Sequence, residues 1–152
     1  IRSGMKKHFN ILNKKEQSSI LKLVDKQLTK IPGFPGLQTY ANLHHYEELK
    51  PLLKSLFKYI TRNFIIKKCW ANHTDGRYTN WHNHETDVSV VYYLKNKESL
   101  GTVFRINNEV VPLEGPENSL LLFKKEFHSA PSIKEGETKI NRYSISFEIL
   151  YV

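Results

Sequence analysis

The sequence predicts a mainly β domain with two supporting helices toward its N-terminal side. Three observations carry this expectation. From about residue 65 to the end, short β-rich segments alternate with turns and no helical period intervenes. Residues 13–64 instead hold two apolar stripes at helical spacing. The 152 residues suit one hydrophobic core, and no repeat, low-complexity tract or linker divides them. Many short strands without intervening helices suggest an antiparallel sandwich or barrel, with the helices packed outside one sheet.

The elements follow in order. Ile1–Gly4, before Met5, look like an expression scar and are set aside from fold reasoning. An edge strand is expected through His8–Leu12, with His8 at the surface. Asn13 and Glu16 form an N-x-x-E capping pair, and Ile20, Leu21, Val24 and Leu28 then recur at helical spacing to about Thr29. Pro32-Gly33-Phe34-Pro35-Gly36 ends that helix as a loop. A second helix is expected from about His45 to Asn63, striped by Leu49, Leu52, Leu53, Leu56, Phe57, Ile60 and Phe64. Pro51 is tolerated there only near the first turn. His44 and His45, being adjacent, cannot both face one metal from a helix and read as capping or surface residues. Strands are expected at Ile65–Asn72, Val88–Leu94, Gly101–Ile106, Ser119–Phe123 and Asn141–Leu150. Turns are marked by Asn107-Asn108, Glu114-Gly115-Pro116 and Gly136.

Composition narrows the function classes. Apolar content of 39% and aromatic content of 12% supply a core and argue against disorder. The net charge of +8 is uneven: residues 1–66 hold 12 Lys/Arg against 4 Asp/Glu, whereas residues 67–152 hold 11 of each. A basic patch could attract nucleic acid or an acidic substrate. No aromatic platforms interleave with these lysines, so a solvated helix face is the favoured reading and nucleic acid is not. The single cysteine, Cys69, excludes an internal disulfide and a cysteine-based zinc site, and reads as a small buried hydrophobe. No apolar run approaches the roughly 20 residues of a membrane span, and no secretory signal is present. A soluble, cytoplasmic protein is expected.

The chemistry centres on Trp81–Leu94, WHNHETDVSVVYYL. In extended backbone, residues i and i+2 point to one side, so His82 and His84 can aim two imidazoles at one point. Imidazole is the commonest protein metal ligand. A third histidine, His128, follows the apolar strand Ser119–Phe123. On the last strand Arg142, Ser144 and Ser146 share one face, and Tyr143, Ile145 and Phe147 share the other. An inward-facing Arg142 is a buried cation that needs an anion, since an unpaired one costs several kcal/mol, roughly 3–5. A bound carboxylate gripped by the guanidinium, with help from a serine hydroxyl, would satisfy it.

The region from about Cys69 to Val152 resembles the iron(II)- and 2-oxoglutarate-dependent oxygenases, in their prolyl-hydroxylase-like branch. WHNH stands where that family has its His-x-Asp metal motif, VSVVYYL matches the strand after it, and LGTVFRI the glycine-containing strand. Phe123 to His128 matches the segment carrying the distal histidine, and NRYSISFEI the terminal Arg-x-Ser/Thr strand. The resemblance implies a double-stranded β-helix (jelly-roll) core over about 65–152, supported by helices over about 13–64, the whole of 5–152 forming one domain. It implies Fe(II) at His82 and His128, with 2-oxoglutarate and O2 as co-reactants in a hydroxylation. It places Arg142 and Ser144 on the far carboxylate of 2-oxoglutarate, and Tyr93 and Asn72 beside the same cosubstrate. The substrate is not readable from the sequence: a peptide or protein side chain, a prolyl one among them, or a small molecule would fit the resemblance.

One departure stands out. The family's iron site is two histidines and a carboxylate, and His84 occupies the carboxylate position. Either three histidines bind the metal, with His84 the favoured third ligand, or Asp87 or Glu85 supplies the oxygen. Two rival readings remain open. A cupin-like metal protein not using 2-oxoglutarate fits Gly76, five residues, then His82-Asn83-His84, but the glutamate expected near Val88 or Ser89 is missing and Arg142 goes unexplained. A non-catalytic β-helix binding module, presenting its basic helices to a partner, is the other.

Overall fold

The computed structural model describes residues 5–32, 36–74, 85–124 and 141–152, together with the backbone of 127–129. Asn13 accepts a hydrogen bond from the Glu16 backbone N–H at 2.8 Å, and Glu16 Oε1 accepts one from the Asn13 N–H at 3.0 Å. This reciprocal capping box opens α1 (Lys14–Gln27), whose buried face is Ile20, Leu23 and Val24. Asn13→Ala is expected to cost about 1 kcal/mol of stability in urea unfolding, the usual worth of an N-cap.

The second helix is shorter than expected. Two 3-10 turns, Leu43–His45 and Glu47–Leu49, precede α2, which spans only Lys50–Tyr59. Pro51 explains the start: it sits in the first helical turn, where its missing N–H costs nothing, and would have broken a helix begun at His45. The first strand is displaced from the expected His8–Leu12 and shares only His8 with it. β1 (Lys6–His8) stops before Asn10, whose φ of +54° leaves the extended region.

The remaining strands are β2 (Leu37–Gln38), β3 (Phe64–Thr74), β4 (Val88–Lys95), β5 (Leu100–Ile106), β6 (Glu109–Glu114), β7 (Ser119–Phe123), β8 (Phe127–Ser129) and β9 (Arg142–Tyr151). β2, β6 and β8 are additions to the sequence expectation. Asn107 and Asn108, both at positive φ, make the two-residue turn that joins β5 to β6. β6 is an edge strand, which is why it tolerates Pro112.

Two antiparallel sheets result. The larger runs β1-β7-β4-β9-β3-β2 and the smaller β6-β5-β8. The large sheet is apolar on both sides. Its outer face packs Val90, Tyr92, Ile145, Phe147 and Ile149 against Ile20, Val24, Leu52 and Leu56 of the helices. Its inner face contributes Val91, Tyr93, Leu121 and Phe123 to a second cluster that includes Phe104 of the small sheet. β4 and β7, central and covered on both faces, are therefore continuous apolar runs rather than alternating ones. This is the jelly-roll core with outside helices that the sequence predicts. Among the described residues no helix is long and apolar enough to cross a membrane.

Two small expectations resolve differently. Cys69 is buried and free, as expected. His8 is half-buried rather than free at the surface: its ring stacks on Tyr59 with centroids 3.7 Å apart. Burial, then the charges of Lys6 and Lys58, hold its pKa below the ordinary 6.5. His44 is lowered in the same direction, by burial and then His45. A depressed histidine pKa means that the unfolded chain binds the proton better. The stability these rings contribute is complete above pH 6.5 and declines as pH falls through the lowered values. His8→Phe, which keeps the stack, is expected to flatten that slope in urea titrations between pH 7 and 5.

Candidate functional site

The pairing register assembles the site. Asn72 lies opposite Ser144, and Ser144 opposite Tyr93, in one row across β3, β9 and β4. Thr74 lies opposite Arg142 in the adjacent row. Opposed residues in an antiparallel sheet project to the same side, as do residues i and i+2. Asn72, Thr74, Arg142, Ser144 and Tyr93 therefore share the inner face, while Ile145 and Phe147 of the same β9 face the helices. The division of the final strand into a polar inner face and an apolar outer one is as the sequence predicts.

Arg142 is only 3% exposed. Its Nε–H donates to the Leu100 carbonyl at 2.8 Å, which fixes the plane of the guanidinium. Its central carbon stands 5.3 Å from the Tyr93 ring centroid. The Tyr93 hydroxyl lies 2.8 Å from Thr102 Oγ1, so the ring is anchored at its tip. Gly115 sits against that ring: a Cβ there would come within 2.7 Å of it. Asn96 completes the support, its Nδ2 donating to the Leu100 and Gly115 carbonyls at 2.8 and 2.6 Å. Burial lowers the Arg142 pKa, with Tyr93 opposing the shift. Burial likewise raises that of Tyr93, with Arg142 the chief opposing group. Among the described residues no carboxylate pairs with Arg142. Nearby, Asn72 Oδ1 is buried without a hydrogen-bond partner. A buried cation with no carboxylate partner is an arrangement completed by an organic anion.

The proposed metal ligands stand apart from this description. His82 and His84 lie outside the described residues. The His128 backbone is in β8, opposite Phe104 of β5, and its side chain is likewise outside the description. Among the described residues no group of three His, Cys, Asp or Glu could hold a metal. Of the alternative oxygen ligands, Glu85 is exposed. The Asp87 carboxylate accepts the Tyr151 N–H at 2.7 Å, and the Asp87 N–H donates to Ile149 at 2.9 Å. Tyr151 is nine residues along β9 from Arg142, which in extended chain is about 30 Å. Asp87 thus ties β4 to the far end of β9, away from Arg142.

Sequence reasoning passed over Leu100, Thr102 and Asn96. Thr102 had a signal: it alternates with Phe104 on the buried face of β5. The Leu100 carbonyl and the Asn96 side chain had none, because their roles depend on where the β4–β5 turn meets β9.

No protein-family model and no curated protein matches the sequence. Solved structures do match its fold. A viral collagen prolyl hydroxylase from Paramecium bursaria Chlorella virus-1, in complex with 2-oxoglutarate, superposes with a TM-score of 0.72 at 14% identity, over 99% of this chain and 97% of that one. A prolyl hydroxylase from Trichoplax adhaerens, bound to a peptide of the hypoxia-inducible-factor oxygen degradation domain, matches at 0.69 and 18%, over 97% and 84%. The protein HygX from Streptomyces hygroscopicus, with nickel, 2-oxoglutarate and hygromycin B bound, matches at 0.69 and 11%, over 95% and 82%. The chain has the fold of the 2-oxoglutarate/Fe(II) oxygenases, including the prolyl hydroxylases, over essentially its whole length.

Proposed function

We propose that the protein is an Fe(II)- and 2-oxoglutarate-dependent dioxygenase that hydroxylates its substrate. The observation that carries this is Arg142: a buried guanidinium, held in plane by a backbone carbonyl, with no carboxylate partner among the described residues. The inner-face register puts Ser144, Tyr93 and Asn72 beside it. These residues fit the far carboxylate of 2-oxoglutarate. The guanidinium would take the charge, and the hydroxyls and the Asn72 amide would complete its hydrogen bonds. Val91, Leu121, Phe104 and Phe123 on the same inner side provide an apolar wall that keeps water from the ligand.

His82, His84 and His128 are the residues that would hold the iron. Leu100, which anchors Arg142, and Phe104, opposite the His128 backbone, are four residues apart on one strand, roughly 13 Å. A five-carbon diacid can bridge that separation when side chains reach in from both ends. Asp87 is committed to β9 elsewhere, which supports His84 over Asp87 as the third ligand. The bound metal, with 2-oxoglutarate and O2, supplies the oxidising chemistry, and the chain supplies binding, orientation and a dry wall. The cupin-like alternative gives Arg142 no role.

The neighbours in complex with a peptide and with hygromycin B leave the substrate class wide. A peptide or protein prolyl side chain is the reading closest to the fold likeness. The test is succinate formation from 2-oxoglutarate. Slow turnover requiring both Fe(II) and O2 is expected even without added substrate. No succinate under any metal loading would contradict the proposal.

A further inference from the structure

The inner-face row does not stop at Asn72. Gln38, on edge strand β2, lies directly opposite Asn72. Cross-strand opposition puts both side chains on the side of Ser144 and Tyr93. The row therefore reads Gln38, Asn72, Ser144, Tyr93 from the sheet edge inward. Gln38 Oε1 and Asn72 Oδ1 are both buried, and neither has a hydrogen-bond partner. Both residues are half-buried, and it is the oxygen end of each carboxamide that is shut away from solvent. The Gln38 backbone, by contrast, is fully used: its N–H and C=O pair with Thr29, each at 2.9 Å. A fold that spends this residue's backbone on structure and leaves its buried carboxamide oxygen unmet is unusual, because such atoms are nearly always satisfied.

Two buried, unmet carboxamide oxygens side by side are acceptors that the N–H groups of a ligand would satisfy. Strands lie about 4.8 Å apart, so the two groups can meet one small planar group or two neighbouring ones. A cation is disfavoured there by the adjacent row's Arg142 and by the net charge of +8. A carboxamide pairs best with another amide-like edge, which offers donor and acceptor together. We infer that Gln38, with Asn72 between it and the 2-oxoglutarate subsite, takes an uncharged amide group of the substrate. This rests on the oxygenase reading for the identity of the neighbouring subsite. Asn72 then touches both ligands, and Gln38 only the substrate.

The experiment follows the side-chain NH2 signals of Gln38 and Asn72 by 15N–1H NMR of the full chain, with N-acetylglycinamide as probe and glycerol as control. Signals are assigned with Gln38→Leu and Asn72→Ala. Saturable shifts of the Gln38 pair with the amide and not with glycerol are expected. Gln38→Leu should weaken the probe roughly five- to tenfold, the worth of one hydrogen bond. It should leave 2-oxoglutarate affinity by calorimetry unchanged. Because it removes an unmet polar group, it should also hold or raise Tm, by roughly 2–4 °C. A structural glutamine would instead lose Tm on that change. Absence of Gln38 shifts, equal shifts with glycerol, or a lowered Tm would overturn the inference. If 2-oxoglutarate binds normally while Gln38 stays silent, the subsite fails and the oxygenase reading stands. If Gln38 responds to the amide but 2-oxoglutarate does not bind the wild type, the amide subsite stands and the oxygenase reading fails.

Discussion

Replacing Arg142 with methionine is expected to weaken 2-oxoglutarate binding by roughly a hundredfold or more while leaving the fold at least as stable. Truncating one partner of a buried, hydrogen-bonded charge pair costs about 2–5 kcal/mol of binding, a span of about thirtyfold to several thousandfold that brackets this loss. Stability moves the other way. In the absence of ligand, Arg142 is a desolvated cation with no carboxylate partner among the described residues. An apolar side chain of similar length removes that desolvation cost and is neutral or stabilising. The Leu100 carbonyl keeps its bond from Asn96, so no backbone acceptor is orphaned. Calorimetry with 2-oxoglutarate and urea unfolding on the same variant separate the two effects. A structural arginine would show the reverse pattern, losing stability while the ligand affinity held.

Phe147→Ala, five residues along the same strand and on its other face, is expected to do the opposite. Phe147 is fully buried between the sheet and the helices, in the cluster with Leu52, Leu56 and Val90. Deleting a buried phenyl ring costs about 3–5 kcal/mol through lost transfer free energy and the cavity left behind. Against a typical total of about 5–15 kcal/mol, this brings the domain close to unfolding at room temperature. Folded variant protein, stabilised for example at low temperature, should still bind 2-oxoglutarate, because no atom of Phe147 faces the inner side. Urea unfolding measures the first claim and calorimetry the second.

These two residues also show how far sequence reasoning reaches. A strand's period of two assigned Arg142 and Ser144 to one side and Ile145 and Phe147 to the other, and packing confirmed it. A short apolar run bounded by turn residues located Ser119–Phe123 residue for residue. Asn13 and Glu16 marked the helix start because capping is a local contact, complete within four residues. Non-local features were not legible. β2 and β8 are two and three residues long and exist because a neighbouring strand offers them an edge. β6 was obscured by Pro112, which only its edge position permits. The second helix was overextended because its apolar stripe continues beyond both ends of the segment that Pro51 and the turn at Ile60 allow. At the site, Arg142 announced itself as a charge on a strand that had to be buried. The carbonyl that orients it and the Gln38 carboxamide came from register and turn placement, which composition does not encode.

The most direct test of the central claim is the visible absorbance of the protein mixed anaerobically with Fe(II) and 2-oxoglutarate. A weak charge-transfer band should appear only with both present. It should be lost in Arg142→Met at 2-oxoglutarate concentrations that saturate the wild type, and return when the cosubstrate is raised roughly a hundredfold. No band in the wild type, or a band indifferent to Arg142, would contradict the account.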